Sequence, residues 1–212
     1  MTIPVLGFAT VSRFDLADRL LASIDYPVEE LVVIDNSGRG VWFPEKPAGV
    51  KRMTIMRPPF GLGLVGAWNL IVKSTPYAPY WVLINDDAWF EPGALEIIAA
   101  EAKKDGLGHP KVSPYWSAIV LGEGIVENVG LYDERFYPLY FDDNDFERRI
   151  HAANGLIYDI PAVIHHDNSA SIDHSRNDKS YANNYKLHIQ KQTTNDNSWG
   201  WSLLSRRMNR WD

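Results

Sequence analysis

Two adjacent carboxylates, Asp86 and Asp87, follow Asn85 at the end of the apolar run YWVLI. Carboxylates at the end of a buried strand suit a hard divalent ion such as Mg²⁺. Such ions take oxygen ligands and are often shared between one or two carboxylates and substrate phosphates. A solvated turn leading to Pro92 is the competing reading. A second acidic group, Asp142, Asp143 and Asp145, lies within FDDNDF. Carboxylates this close repel one another, so solvent, arginine or a cation must compensate. They could supply a general base with orienting partners. They could equally open a helix, with Asp142 as cap, Asp145 in the first turn and Arg149 as its i, i+4 partner. His165, His166 and Asp167 close another apolar run. Neighbours on a strand point to opposite faces, so one histidine could ligate a metal while the other packs.

Further polar groups follow other apolar runs. Thr10-Val11-Ser12-Arg13 comes after IPVLGFA, and Asp35-Asn36-Ser37-Gly38 after ELVVI. A carboxylate in the second position can accept hydrogen bonds from a base or ribose, although these residues also form turns. GLGLVG at Gly61–Gly66 has dinucleotide-like spacing. It does not directly follow a strand, so a glycine-permitted turn into a helix is the better reading. Asn69 sits within that helix, where Asn is mildly unfavourable.

These groups need elements to hold them. Ile3–Thr10, Glu30–Asp35, Met53–Arg57 and Tyr80–Ile84 read as strands, the second and fourth apolar enough to be buried on both faces. Phe14–Ile24, Leu64–Lys73 and Pro92–Lys104 read as helices, with Leu16, Leu20 and Ile24 on one face and Pro92 as the first helical residue. Later, Trp116–Leu121 and Leu156–His166 read as strands and Asp142–Asn154 as a helix. Asn168–Asp178 is polar and reads as a loop or flap. The tail Trp199–Trp211 is amphipathic and basic. The order implies an α/β fold with a mostly parallel sheet flanked by helices, whose ligands sit beyond the carboxyl ends of the strands.

The series Thr10–Arg13, VVIDNSG, GLGLVGAWN, LINDDAWFEPGAL, VGLYDERFYPLYFDDNDFERRI and IPAVIHH resembles the GT-A glycosyltransferases over residues 3–172. It is most similar to the inverting family 2 group that includes rhamnosyl- and galactofuranosyltransferase-like enzymes. The resemblance implies a GT-A domain over 1–172, followed by a flexible loop and helical tail over 173–212. It implies that Asp35 contacts the donor base, with Asn36, Ser37, Thr10 and Arg13 lining the same pocket, and that Gly63 and Asn69 pack under the donor. Asn85-Asp86-Asp87 matches the DXD motif with Asn85 in place of the first Asp, one charge fewer. Asp87 would then be the firmest ligand of Mn²⁺ or Mg²⁺, Asp86 would touch the sugar or ribose, and His165 or His166 would be a further metal ligand. FDDNDF matches the ED-x-D motif, with Asp143 as catalytic base. The implied donor is a nucleotide sugar, UDP-linked for preference. The acceptor could be a glycan, a lipid-linked sugar, a protein or a modified nucleic acid, the last disfavoured by the acidic net charge. Trp89, Tyr115, Trp116, Tyr137 and Tyr140 are candidates for stacking on sugar rings.

Composition narrows the alternatives. The chain has 212 residues, 45% hydrophobic and 23% charged, which fits one globular domain. A net charge of −6 argues against a general nucleic-acid binder. The absence of Cys removes thiol nucleophiles, disulfides, Cys-zinc sites and iron–sulfur clusters. No apolar run approaches the roughly 20 residues of a membrane helix. Ile3–Val11 reads as a first strand, not a signal peptide. A cytoplasmic protein, soluble or peripheral at a membrane's inner face, is expected. The tail could contact a membrane or a second copy of the chain. Two rivals are a sugar-nucleotide pyrophosphorylase, whose Gly-rich N-terminal loop has no counterpart at Thr10–Asp15, and a catalytically inactive binding module of the same fold.

Overall fold

The computed structural model describes residues 1–113, 115–167 and 174–200, with the side chains of 174–179 excepted. The order is β1 (Ile3–Thr10), α1 (Phe14–Ala22), β2 (Val28–Asp35), β3 (Val50–Met56), α2 (Gly63–Ser74), β4 (Tyr80–Asn85), β5 (Ala88–Phe90), α3 (Ala94–Glu101), β6 (Gly106–Lys111), β7 (Ala118–Gly122), α4 (Glu123–Val129), α5 (Asp142–Ala152), β8 (Leu156–His166) and α6 (His174–Thr193). The strands form one sheet in the order β3-β2-β1-β4-β7-β6-β8-β5.

The first four strands of that order are parallel. β7 then runs against both β4 and β6, β6 and β8 are parallel, and β5 returns antiparallel on β8. The sheet is therefore mixed, with its parallel half at the N-terminal side. Side chains alternate across it, as the two-residue period of a strand requires. Phe8, Leu31, Val33, Val82, Ile84 and Val120 pack beneath α1 and α3. Val32, Ile34, Leu83, Ile119 and Leu121 face Trp68 and Ile71 of α2 and Phe146 and Ile150 of α5. Burial on both faces explains why β2 and β4 are continuous apolar runs.

Several boundaries differ from the sequence reading. α3 begins at Ala94 behind Gly93, whose φ of 82° leaves Pro92 outside the helix. α5 begins at Asp142 behind Phe141, so Asp142 is its first residue and not its cap. β5, β6 and α4 were not expected. β6 is GLGHPK, poor in strand formers. Its glycines are required by crowding: a Cβ at Gly106 would come within 2.8 Å of the Tyr158 ring, and one at Gly108 within 2.5 Å of Ile160. Part of the segment expected as a loop, Asn168–Asp178, is helical, because α6 starts at His174. Residues 168–173 and 201–212, hence most of the aromatic basic tail, lie outside the described residues. No helix among the described residues is long and apolar enough to cross a membrane.

Candidate active site

Parallel pairing aligns three strand ends. Thr10 of β1 sits opposite Asp35 of β2, and Ala9 opposite Asn85 of β4. Asp35 is fully buried. Its Oδ1 accepts hydrogen bonds from the Ser37 N–H and hydroxyl, at 3.2 and 2.5 Å. Its Oδ2 has no hydrogen-bond partner, and Arg57 Nε lies 3.5 Å away. The buried Thr10 hydroxyl also lacks a partner. Arg57, just past β3, is a residue the sequence reading passed over; only its place after a strand could have flagged it.

Asn36 and Gly63 build the wall next to this edge. Asn36 Nδ2 donates to the Gly63 carbonyl at 3.1 Å, and the Leu62 N–H donates to Asn36 Oδ1 at 2.6 Å. Gly63 has φ 73°, and a Cβ there would come within 2.8 Å of the Pro138 carbonyl. That close approach lets the Leu64 N–H donate to the same carbonyl at 3.0 Å. Asn69, further along α2, is held by the chain itself. It is buried and braces α2 against the chain before α5. Its Nδ2 donates to Tyr132 O at 3.0 Å and Glu134 Oε1 at 2.9 Å, and its Oδ1 accepts the Tyr132 N–H at 3.1 Å.

A cavity of about 390 Å³ opens between the end of β4 and the start of α5. Asn85 lies on one side, and Asp142, Asp143 and Asn144 on the other. Trp68, Tyr115, Trp116, Tyr132, Tyr140, Phe141 and Tyr181 supply most of the remaining wall. Of the aromatics expected to stack on sugars, Tyr115, Trp116 and Tyr140 are there. Trp89 is elsewhere, with Arg19 over its ring at 3.7 Å and His165 stacked on it. Three residues of the wall carry a buried polar atom without a partner: Asn85 Oδ1, Trp68 Nε1 and the Tyr132 hydroxyl. Each such atom costs about 1–3 kcal/mol, so their grouping about one cavity calls for a polar ligand.

The two adjacent carboxylates differ. Burial, then the charge of Asp143, raises Asp142 to about 7. Asp143 is half-buried and accepts the Asn144 N–H at 2.8 Å. Tyr132 is pushed well above the usual tyrosine range by burial and by these two acids, so it stays a neutral donor. Asp145 faces away from the cavity residues into ion pairs with Arg148, Arg149 and Lys191, as the helix-start reading of Asp145 and Arg149 expected.

Asp86 and Asp87 lie in the turn from β4 to β5, and both are buried. His166 Nε2 is 2.9 Å from Asp87 Oδ1, and its Nδ1 is 3.3 Å from the Ser113 carbonyl. A ring that donates from Nδ1 to Ser113 turns its Nε2 lone pair toward the carboxylate, and a shared proton or a cation relieves the repulsion. Oxygen and nitrogen donors placed this way fit Mn²⁺ or Mg²⁺. Among the described residues no group of three or more His, Asp or Glu side chains converges on one point. His165 is not part of this pair. It lies on the opposite strand face, 3.0 Å from Glu91. Arg13 pairs with Asp15 at the exposed rim. The charges of Asp167 and Asp86 reach it as well.

Solved structures share this arrangement of sheet and helices. GalNAc-T7 in a structure with UDP, GalNAc and Mn²⁺ matches at TM-score 0.66 and 10% identity, over 90% of this chain and 48% of that one. S. aureus TarS 1–349 matches at 0.59 and 12%, over 92% of this chain and 74% of that one. The same protein in complex with UDP-GlcNAc matches at 0.57 and 13%, over 81% and 62%. The chain has the GT-A fold. It spans about half the length of the GalNAc-T7 chain. No protein-family model and no curated protein sequence matches it. Of the polar groups above, Asn85, Asp142 and Asp143 line the cavity, whereas Thr10 and Asp35 share the strand-end edge with Asn85 without lining it, and Asp86, Asp87 and His166 do not line it.

Proposed function

We propose that the protein transfers a sugar from a nucleoside-diphosphate sugar, UDP-linked for preference, to an acceptor hydroxyl with inversion. The observation that carries this reading is the cavity. Its lining includes both Asn85, at the strand end that leads into Asp86 and Asp87, and the carboxylates Asp142 and Asp143. The solved structures of the same fold that contain UDP or UDP-GlcNAc support the choice of donor.

The nucleotide lies along the carboxyl edge. Asp35 Oδ2 and the Thr10 hydroxyl, buried without partners, accept or donate to the base and ribose. Asp86 faces the ribose or sugar, and Arg13 guards the rim. Asp87 and His166 would hold Mn²⁺ or Mg²⁺, which when bound would offset the charge of the departing diphosphate. Asp143 accepts the proton of the acceptor hydroxyl. The freed oxygen pair forms the new bond to the anomeric carbon from the face opposite the diphosphate, and the electrons of the breaking C–O bond leave with that group. Asp142, raised to about 7, is largely protonated in mildly acidic solution and can donate a hydrogen bond. Trp68, Trp116 and Tyr132 give the cavity an apolar wall against which the donor sugar can pack.

The loss of one carboxylate at Asn85 favours one rival, a binding module of the same fold without turnover. A panel of nucleotide sugars tested by thermal shift with and without Mn²⁺ identifies the donor, because a bound ligand raises the melting temperature by mass action. Proton NMR of the product then reads the anomeric configuration. An inverted linkage supports the proposal. A melting shift without any product supports the module.

A further inference from the structure

We propose that α6 is a carbohydrate platform that receives an extended oligosaccharide acceptor as it leaves the cavity. The inference rests on reading that cavity as the acceptor end of a glycosyl-transfer site. The starting point is the docking of α6. Among its described side chains, those it buries are polar: Asn184, His188 and Lys191. Asn184 Nδ2 donates to the carbonyls of Phe136 at 2.7 Å and Leu139 at 2.8 Å. The His188 ring lies on Phe141, and Lys191 reaches Asp133 and Asp145. Along one border of that buried face runs a half-exposed stripe: Tyr181 is 53% exposed, Tyr185 49% and Ile189 38%. Asn183, Lys186 and Gln190 form the outward face beyond it.

These three side chains recur every four residues, about 6 Å apart along the axis, comparable to the length of one pyranose. The stripe is continuous with the cavity. Tyr181 lines the cavity and packs its ring 5.5 Å from Tyr140 and 4.9 Å from Phe141, and Tyr185 lies 5.5 Å from Phe141. Tyr140 and Phe141 lead directly into Asp142 and Asp143. A chain whose terminal hydroxyl reaches Asp143 can thus lay its next units on Tyr181 and Tyr185. The phenols offer a flat apolar face with a polar edge, which suits the C–H face and hydroxyls of a sugar. A second copy of the protein is a poor fit, since a stable interface buries about 800 Å² per partner and three half-exposed side chains supply little of it. A membrane fits less well too. Asn183, Lys186 and Gln190 flank the stripe in exposed positions, and the bulky Trp, Phe and Leu of an interfacial helix are missing from it.

The probes are oligosaccharides of one to four units built from glucose, N-acetylglucosamine, mannose or rhamnose. Binding to the full chain in the presence of UDP is read by saturation-transfer NMR. For at least one series, affinity should rise about five- to tenfold from one unit to three, the worth of an aromatic contact. Tyr185→Ala should lose that gain while still binding the single unit, and Tyr185→Phe should keep most of it. The proposal is overturned if no series binds, if the gain survives in Tyr185→Ala, or if that variant loses vesicle binding or dimerisation instead. Donor cleavage is measured separately. Its absence alongside length-dependent binding would defeat the transferase reading and leave the platform standing.

Discussion

Replacing Lys191 by Met removes one cation from the ionic cluster that fastens α6 to the start of α5. Lys191 is 1% exposed, and its Nζ donates to Asp133 Oδ2 at 2.5 Å, Asp145 Oδ2 at 3.0 Å and the Ser198 carbonyl at 2.7 Å. Breaking a buried pair from one side costs about 3–5 kcal/mol, because the remaining charge stays buried. Here Arg135 still holds Asp133, and Arg148 and Arg149 still hold Asp145, so the loss belongs near the lower end, about 3 kcal/mol. At about 2–4 °C per kcal/mol for a chain of this size, the melting temperature should fall by about 6–12 °C. Lys186→Met, on the exposed side of the same helix, should change stability by no more than about 0.5 kcal/mol. The effect should also fade in acid. Burial alone would raise Asp133, but its hydrogen bonds to Arg135 and Lys191 hold it below the ordinary carboxylate range. Its contribution is therefore present above the unfolded value, near pH 4, and is lost as pH falls through the lower folded value. Differential scanning calorimetry at pH 7 and at lower pH reads both effects. A loss under about 1 kcal/mol at pH 7 would show that the cluster does not fasten α6, and the reasoning would fail.

Other outcomes follow from single residues. Asp142 titrates near 7 when folded and near 4 when unfolded, so the folded state binds the extra proton between those values and its stability falls as pH rises through that window. Asp142→Asn should flatten that decline and raise stability at pH 8 by about 2–4 kcal/mol, as read by urea titration at several pH values. His109 is buried and pushed down to about 4, so its contribution is present above pH 6.5 and lost as pH falls toward 4. His109→Phe should remove about 3 kcal/mol of acid sensitivity over that range in the same titrations. Asn69→Leu leaves the Tyr132 N–H, the Tyr132 carbonyl and Glu134 without their shared partner, and should cost about 3 kcal/mol by thermal melting.

β1 and β4 and the ELVVID part of β2 were legible because they are buried on both faces and therefore mostly apolar, while edge strand β3, VKRMTIM, has exposed Lys51 and Arg52 and was placed only in part. β8 was legible to the residue, since its flanks are polar. β6 was hidden, because its two glycines answer to Tyr158 and Ile160, which lie about fifty residues later and leave no local trace. α6 was partly hidden for a related reason. Among its described side chains those it buries are Asn184, His188 and Lys191, so its pattern resembles a polar loop. The strand-end positions of Asp35 and Asn85 were legible, and the alternation of strand side chains implied that only one of His165 and His166 could approach Asp87. Which one depended on the register of β8 against β5, where Ala88 pairs with His166 and Trp89 with His165. The backbone partners of Asn69 at Tyr132 were not legible, because a mid-helix Asn signals an unusual environment without naming its partner. Tyr132 and Tyr181 carry no local mark; the fold alone brings them to Asp143.

The most direct measurement compares turnover by the wild-type chain and by Asp143→Asn, with the identified nucleotide sugar, an accepted hydroxyl and Mn²⁺, and with donor affinity followed by calorimetry. A general base contributes about 10²–10⁴-fold to rate, so kcat should fall by that factor while donor affinity stays within about twofold. Equal kcat in the two proteins would contradict the account.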